Sequence, residues 1–373
     1  MNVLMNFLHS GAFYNFTWGN FFMLIVGAIF VTLAITKNYE PLLLLPIGFG
    51  IIIGNIPFAA GMEIGIYEEG SVLSILYSGV ERGWYPPLIF LGVGALTDFS
   101  AMLSYPRLII LGAAAQVGIF ATFILGIAFG FPQQTSAAIS IIGGADGPTS
   151  IFLASKMAPE YLGAIAIAAY SYMAMIPLIQ PPVVKLLTTR KERLIRMKPS
   201  KPVSKRMRVI FPVVGFVITA CIAPGAIILL GMLFLGNLLK ESGVTDRLAN
   251  TAKTAFIDIV TILLGVTVGA STDASRFLTP ESIKIFIMGA CAFALSTAGG
   301  VIFAKIMNLF VKEKINPIIG AAGVSAVPAA ARVAHVLAAK EDPTNFLIMH
   351  AMAPNVAGVI GSAVAAGVFL AAF

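Results

Sequence analysis

The residues best equipped for chemistry lie in Ile141-Ile142-Gly143-Gly144-Ala145-Asp146-Gly147-Pro148-Thr149, where one carboxylate sits inside an apolar run broken by glycine and proline. At bilayer depth an aspartate costs about 2.5–3.5 kcal/mol, so it persists where it lines a cavity and binds something. A broken helix also frees backbone carbonyls and N–H groups to act as ligands, which is tolerated inside protein or beside water. Asp146 is therefore the first candidate for an ion site, with Thr149 and Ser150 as nearby hard oxygens; a helix cap at the Gly-Pro break is the plainer reading of the same residue. A second broken stretch starts at Asn316-Pro317 and runs through Gly320 and Ser325 to Pro328 and Arg332. Asn316 and Ser325 supply neutral oxygens. Arg332 carries a charge that must meet a carboxylate or receive an anionic substrate. Tyr172, within Tyr170-Ser171-Tyr172-Met173-Ala174-Met175-Ile176-Pro177, and Asn355, within Met352-Ala353-Pro354-Asn355, each flank a Met-x-Pro. A membrane tyrosine is commonly an interfacial anchor, yet Tyr172 lies well inside its apolar run.

The elements that must hold these groups are membrane helices. Of 373 residues 58% are hydrophobic and 11% charged, and the mean hydropathy is +0.93, more apolar surface than a soluble domain hides. Runs of spanning length occur at about 19–36, 41–58, 107–130, 160–182, 209–240 with a turn at Pro224, 282–310 and 344–373. The short alternating strands of a membrane β-barrel are missing. The composition predicts an all-α polytopic membrane protein. The first twenty residues contain no Lys or Arg, so the first span is expected to be retained rather than cleaved as a signal. Cys221 and Cys291 read as core packing. The three histidines, at 9, 335 and 350, share no metal-ligand spacing and read as structural.

Between Lys185 and Arg208 ten basic residues stand against Glu192 alone. Without interleaved aromatics or a soluble platform this is no nucleic-acid surface; it reads as a cytoplasmic loop under the positive-inside rule. The same loop divides two similar halves. Ile141-Ile142-Gly143 recurs as Ile318-Ile319-Gly320 and Ala174-Met175-x-Pro177 as Ala351-Met352-x-Pro354, both at an offset of 177; Gly94-Ala95-x-Thr97-Asp98 recurs as Gly269-Ala270-x-Thr272-Asp273 at 175, and Gly54-Asn55 as Gly236-Asn237 at 182. Ordered matches near one offset argue for duplication: a first transmembrane repeat at 1–184, a basic loop at 185–208 and a second repeat at 209–373. Paired interrupted helices in such repeats mark the substrate or ion site of secondary transporters, near the midplane. Interrupted helices or re-entrant hairpins are thus expected at 135–155 and 316–332, and a second pair at 88–99 and 259–275. Asp98 and Asp273 in that second pair read equally as caps or as functional groups. Lys37 and the 185–208 loop are basic whereas the 59–85 loop is acidic, with Glu63, Glu68, Glu69 and Glu81 against Arg82. That pattern suits inverted halves with both termini outside. A P-loop, a zincin motif, a Cys-x-x-Cys and a dinucleotide fingerprint are all missing.

Taken together, GGADGPTS at 143–150, the Tyr172 segment, NPIIGAAGVSAVPAAAR at 316–332 and MHAMAPNVAGVIGSA at 349–363 resemble the beta subunit of the sodium-translocating, biotin-dependent decarboxylases, which include oxaloacetate, methylmalonyl-CoA and glutaconyl-CoA pumps. The likeness covers nearly the whole chain, including PLLLLPIGFG at 41–50 and GALTDF at 94–99. It implies that a carboxyltransferase alpha subunit loads biotin on a carrier protein and that this chain, in the bacterial cytoplasmic membrane with a small gamma or delta subunit and as a homo-oligomer, decarboxylates carboxybiotin while exporting sodium. The resemblance makes Asp146 the sodium carboxylate, with Asn316, Ser325 and Asn355 as further sodium ligands and Gly320 and Thr149 in support; Tyr172 exchanges a proton against sodium, and Arg332 receives the carboxybiotin anion. The 59–85 connection is shorter than in oxaloacetate members, which leans toward an acyl-CoA pump. A sodium-coupled secondary carrier of carboxylates would share the repeats, the broken helices and the buried aspartate, and is the alternative from a different class.

Overall fold

The computed structural model describes residues 11–12, 14–58, 64–199 and 202–373; His9, Glu63 and Lys201 lie outside the described residues. Among the described residues six helices are long and apolar enough to cross a membrane: Trp18–Lys37, Pro106–Ala128, Pro224–Glu241, Asp246–Ala270, Pro280–Phe310 and Ile348–Ala372. A seventh crossing is a pair, Pro159–Ala174 and Ile176–Leu187, bent by 66° ahead of Pro177. Local chemistry sets the boundaries. Thr17 and Asn20 form a capping box at the start of the first helix, and Asn38 ends it in the left-handed region. Prolines open the helices beginning at Pro41, Pro106 and Pro280, where the missing N–H has no partner to lose.

Three expectations are corrected. The run at 41–58 forms a helix of only 14 residues, Pro41–Gly54, too short to cross. Residues 246–251 and 257–270, not read as a crossing, join through a π-turn into a full span. Cys221 and Cys291 are exposed on the bundle surface, not packed in its core. Asp273 is an N-cap, accepting from the N–H groups of Ser275 (2.9 Å) and Arg276 (3.2 Å), whereas Asp98 precedes the N-cap Phe99 and accepts the Ser100 N–H (2.8 Å) in a local turn. His350 Nε2 lies 2.7 Å from the Lys198 carbonyl and His335 Nδ1 accepts from the Leu347 N–H.

Contacts divide the bundle into two ends. At one, the Tyr67 hydroxyl donates to the Ser271 carbonyl (2.7 Å), Arg276 lies over the Tyr67 ring (3.6 Å), Lys156 reaches the Arg82 carbonyl and Gln134 the Phe373 carbonyl. At the other, Lys305 donates to the Leu187 carbonyl (2.9 Å), Arg208 pairs with Glu241 (3.3 Å), and the Tyr105 hydroxyl donates to the Lys198 carbonyl (2.7 Å). The second end carries the basic loop, the kind of segment that the positive-inside rule assigns to the cytoplasmic side, and inward is taken as the direction toward it. Chain direction follows. Trp18–Lys37 runs inward and Lys205–Ile222 outward; Pro106–Ala128 runs outward and Pro280–Phe310 inward; the bent pair runs inward and Ile348–Ala372 outward.

Between them sit two hairpins that enter from opposite ends. Gln133–Ser140 descends from the outer end, turns through Ile141–Gly144, and returns as Gly147–Met157. The other starts at Asn316 on the cytoplasmic side, passes Ile318–Ala321, turns at 322–328, and returns as Ala329–Glu341.

Candidate functional site

The two hairpin tips touch. Ser325 donates both its backbone N–H (2.7 Å) and its hydroxyl (2.5 Å) to the Gly144 carbonyl. Ala145 takes a left-handed conformation at φ 54°, which costs a non-glycine residue roughly 1–3 kcal/mol and is typical of functional sites. The turn it makes leaves Asp146 as N-cap of Gly147–Met157, its Oδ1 accepting the Thr149 N–H at 3.2 Å. Its other oxygen, Oδ2, accepts the Ser362 hydroxyl at 2.7 Å, and Ser325 in turn donates to Ser362 at 3.2 Å. Capping and site membership thus coexist in Asp146. Ser362 lies about 21 Å along a helix about 37 Å long, at 1.5 Å per residue from Ile348, near mid-span.

Asp146 is 6% exposed, and among the described residues no Lys or Arg forms an ion pair with it. Its surroundings are oxygens. Gln116 donates its amide to the carbonyls of Gly112 (3.0 Å) and Gly323 (3.2 Å). Asn355 donates to Ala322 (3.0 Å) and Val324 (2.7 Å) in the second tip. Each amide thereby keeps its side-chain oxygen buried without a partner, as does the Thr149 hydroxyl. A carboxylate beside neutral oxygens, with no built-in countercharge, is the donor set a monovalent cation needs; isolated, that buried charge would be prohibitive.

Other predicted residues stand apart. Asn316 spends its amide on the carbonyls of Arg193 (2.8 Å) and Ile195 (2.9 Å) and its oxygen on the Ile318 N–H (3.1 Å), fastening the basic loop at the cytoplasmic mouth. Gly320 lies against Gly300 so closely that a Cβ on it would be 2.1 Å from the Gly300 oxygen. Tyr172 donates to the Phe286 carbonyl at 2.5 Å. Arg332 is exposed in the first turn of Ala329–Glu341. Burial raises the Glu40 carboxyl above its ordinary range, and the Arg332 guanidinium pulls it back. Arg332 therefore faces the cytoplasmic half, not Asp146. At that end a cleft of about 810 Å³ is lined by Tyr105, Arg107, Arg196, Lys198 and Lys314, with Glu313 as its carboxylate. Hydrogen bonds from Thr344 and then Arg196 hold the Asp342 carboxyl down at about 2, so this latch on the loop stays ionised at neutral pH.

Residues 19–373 match the family model described as the Na+-transporting oxaloacetate decarboxylase beta subunit. The chain belongs to this family. It is 52% identical to the methylmalonyl-CoA decarboxylase subunit beta of Propionigenium modestum over the whole of both chains. Identity to the glutaconyl-CoA decarboxylase subunit beta of Acidaminococcus fermentans is 50%, over 99% of this chain and 97% of that one. To the oxaloacetate decarboxylase beta chain of Klebsiella pneumoniae it is 47%, over 98% and 96%. As a beta subunit of the sodium-transporting decarboxylases the chain is the multi-pass membrane component of a multi-subunit enzyme, placed in the bacterial inner membrane. The ordinary carrier reading is not favoured.

Three residues that the structure brings to the first hairpin tip were not singled out from the sequence: Ser362, which donates to Asp146, Gln116, whose Oε1 lies beside Gly144, and Tyr170, whose ring lies against Gly147. Ser362 lies seven residues after Asn355, two helical turns along one face, so the signature at 349–363 already contained the signal. Gln116 is a lone amide in an apolar stretch and is visible in principle. Tyr170 was overshadowed by Tyr172.

Proposed function

We propose that this beta subunit decarboxylates carboxybiotin delivered by a separate biotinyl carrier and exports sodium as it does so. The carrying observation is Asp146, the one buried carboxylate among the described residues, which has no cationic partner there and sits where the two hairpin tips meet. Sodium is the cargo that supplies the countercharge. Asp146, Ser325, Ser362 and the free oxygens of Gln116, Asn355 and Thr149 would hold it. Asn316 would meet the ion only after releasing the Arg193 and Ile195 carbonyls, at the mouth rather than the centre. Gly320 serves by letting the second hairpin approach Gly300.

Carboxybiotin is an anion. Its decarboxylation breaks an N–C bond, releases CO2 and places a proton on the ureido nitrogen, so it needs a cationic dock and a proton. The exposed Arg332 fits the dock, and the basic cleft gathers anionic partners. Tyr172 would release the proton as sodium arrives, once the Phe286 contact is broken. Carrying one charge against 100 mV costs about 2.3 kcal/mol, which decarboxylation must supply through a change in access. Opposed helix directions and a crossed exchange support inverted repeats: Asn55 of the first half donates to the Thr272 carbonyl (2.8 Å) and accepts from the Ala274 N–H (2.9 Å), while Asn237 of the second donates to the Thr97 carbonyl (3.0 Å). The carboxyltransferase alpha subunit, the carrier protein, a small gamma or delta subunit and further copies of this chain complete the proposed assembly.

In the reconstituted complex Asp146→Asn should abolish both sodium transport and sodium-dependent carboxybiotin decarboxylation while the protein stays inserted. Near-normal sodium-stimulated decarboxylation in that variant would sink the assignment.

A further inference from the structure

We infer that Tyr170, through its hydroxyl oxygen, is a ligand of the ion held at Asp146; this rests on the reading of Asp146 as the sodium carboxylate. Tyr170 and Tyr172 share the helix Leu162–Ala174. At about 100° per residue, two positions apart means nearly opposite faces. Tyr172 faces Pro280–Phe310, where its hydroxyl is already engaged by the Phe286 carbonyl and its ring packs on Gly289. Tyr170 faces the first hairpin. Its side chain is 1% exposed, and a Cβ on Gly147 would lie 2.1 Å from its Cε1 and 2.5 Å from its Cζ, the carbon that bears the hydroxyl. The phenol end of the ring thus abuts the residue that follows Asp146.

That hydroxyl has no hydrogen-bond partner. A buried hydroxyl left unpaired is unfavourable, and a phenylalanine would fill the same space without the penalty. Inside the membrane bulk water does not reach it. The oxygen is therefore kept for a partner that arrives, and its lone pairs suit the cation whose charge Asp146 neutralises. Glycine at 147 is what lets the ring come this close.

The test uses the whole complex in nanodiscs and compares Tyr170→Phe, Tyr172→Phe and Asp146→Asn. The first readout is sodium protection against heat unfolding, measured without carboxybiotin; the second is the sodium requirement of decarboxylation. Tyr170→Phe should need about tenfold more sodium for half-protection, keep turnover at saturating sodium within about twofold of the parent, and be no less stable without sodium. Tyr172→Phe should still be protected by sodium but lose turnover at saturating sodium, because its hydroxyl faces Phe286 and not Asp146. An unchanged sodium requirement in Tyr170→Phe, with Asp146→Asn unprotected, overturns the role of Tyr170 alone. Parental protection in Asp146→Asn overturns the reading of the site itself.

Discussion

At the scale of single residues, the site depends on how Asp146 is held while empty. The Ser362 hydroxyl donates to its Oδ2 at 2.7 Å. Hydrogen bonds to charged groups contribute about 1.5–3 kcal/mol. Ser362→Ala should therefore lower the stability of the sodium-free protein by roughly that amount and raise the sodium needed for half-maximal decarboxylation. Parental values of both, from denaturation in detergent and from kinetics, would show that Ser362 is not the working partner of Asp146. Arg332 tests the other half of the chemistry. Arg332→Lys keeps the charge but loses the planar fork that matches a carboxylate, so use of carboxybiotin should weaken with sodium affinity changed much less. If sodium affinity collapsed while carboxybiotin use at saturating sodium stayed normal, Arg332 would belong to the ion site.

Individual elements differ in how legible they were. Asp146 announced its hairpin because glycine, aspartate and proline in sequence stop a helix, and the Asn316 to Arg332 stretch did the same. The span 246–270 was hidden because Asp246, Arg247, Lys253 and Asp258 dilute its first half, and only a π-turn that continues the axis joins the two pieces. Gly320 shows a different limit. Its type was legible as a helix interruption, but its contact with Gly300 is long-range and no spacing encodes it. At 2.1 Å from the Gly300 oxygen a methyl group cannot fit without moving one hairpin arm. Overpacking of this kind costs roughly 1–3 kcal/mol, so Gly320→Ala should lower the melting temperature in detergent with little change in sodium affinity of the folded fraction. Unchanged melting with weakened sodium binding would instead place the Gly320 carbonyl on the ion path.

For the whole molecule, the decisive question is whether the two halves face opposite ways. Two hairpins enter from opposite ends and meet at Gly144 and Ser325, the arrangement that lets one hairpin open toward each side in an alternating-access pump. Parallel halves would bring both hairpins in from one end and leave no such arrangement. Glu69 and Asp246 are 177 positions apart, the offset that relates the halves, and both are exposed. Glu69 follows Tyr67 at the outer end, whereas Asp246 lies beyond Glu241 at the cytoplasmic end. Cys221 and Cys291, being exposed, must first be replaced by serine. In that background Glu69→Cys should react with a membrane-impermeant maleimide added to intact cells, and Asp246→Cys only in inverted vesicles. Labelling of both positions from one side would rule out inverted halves, and with them the idea that each hairpin guards its own side of the membrane.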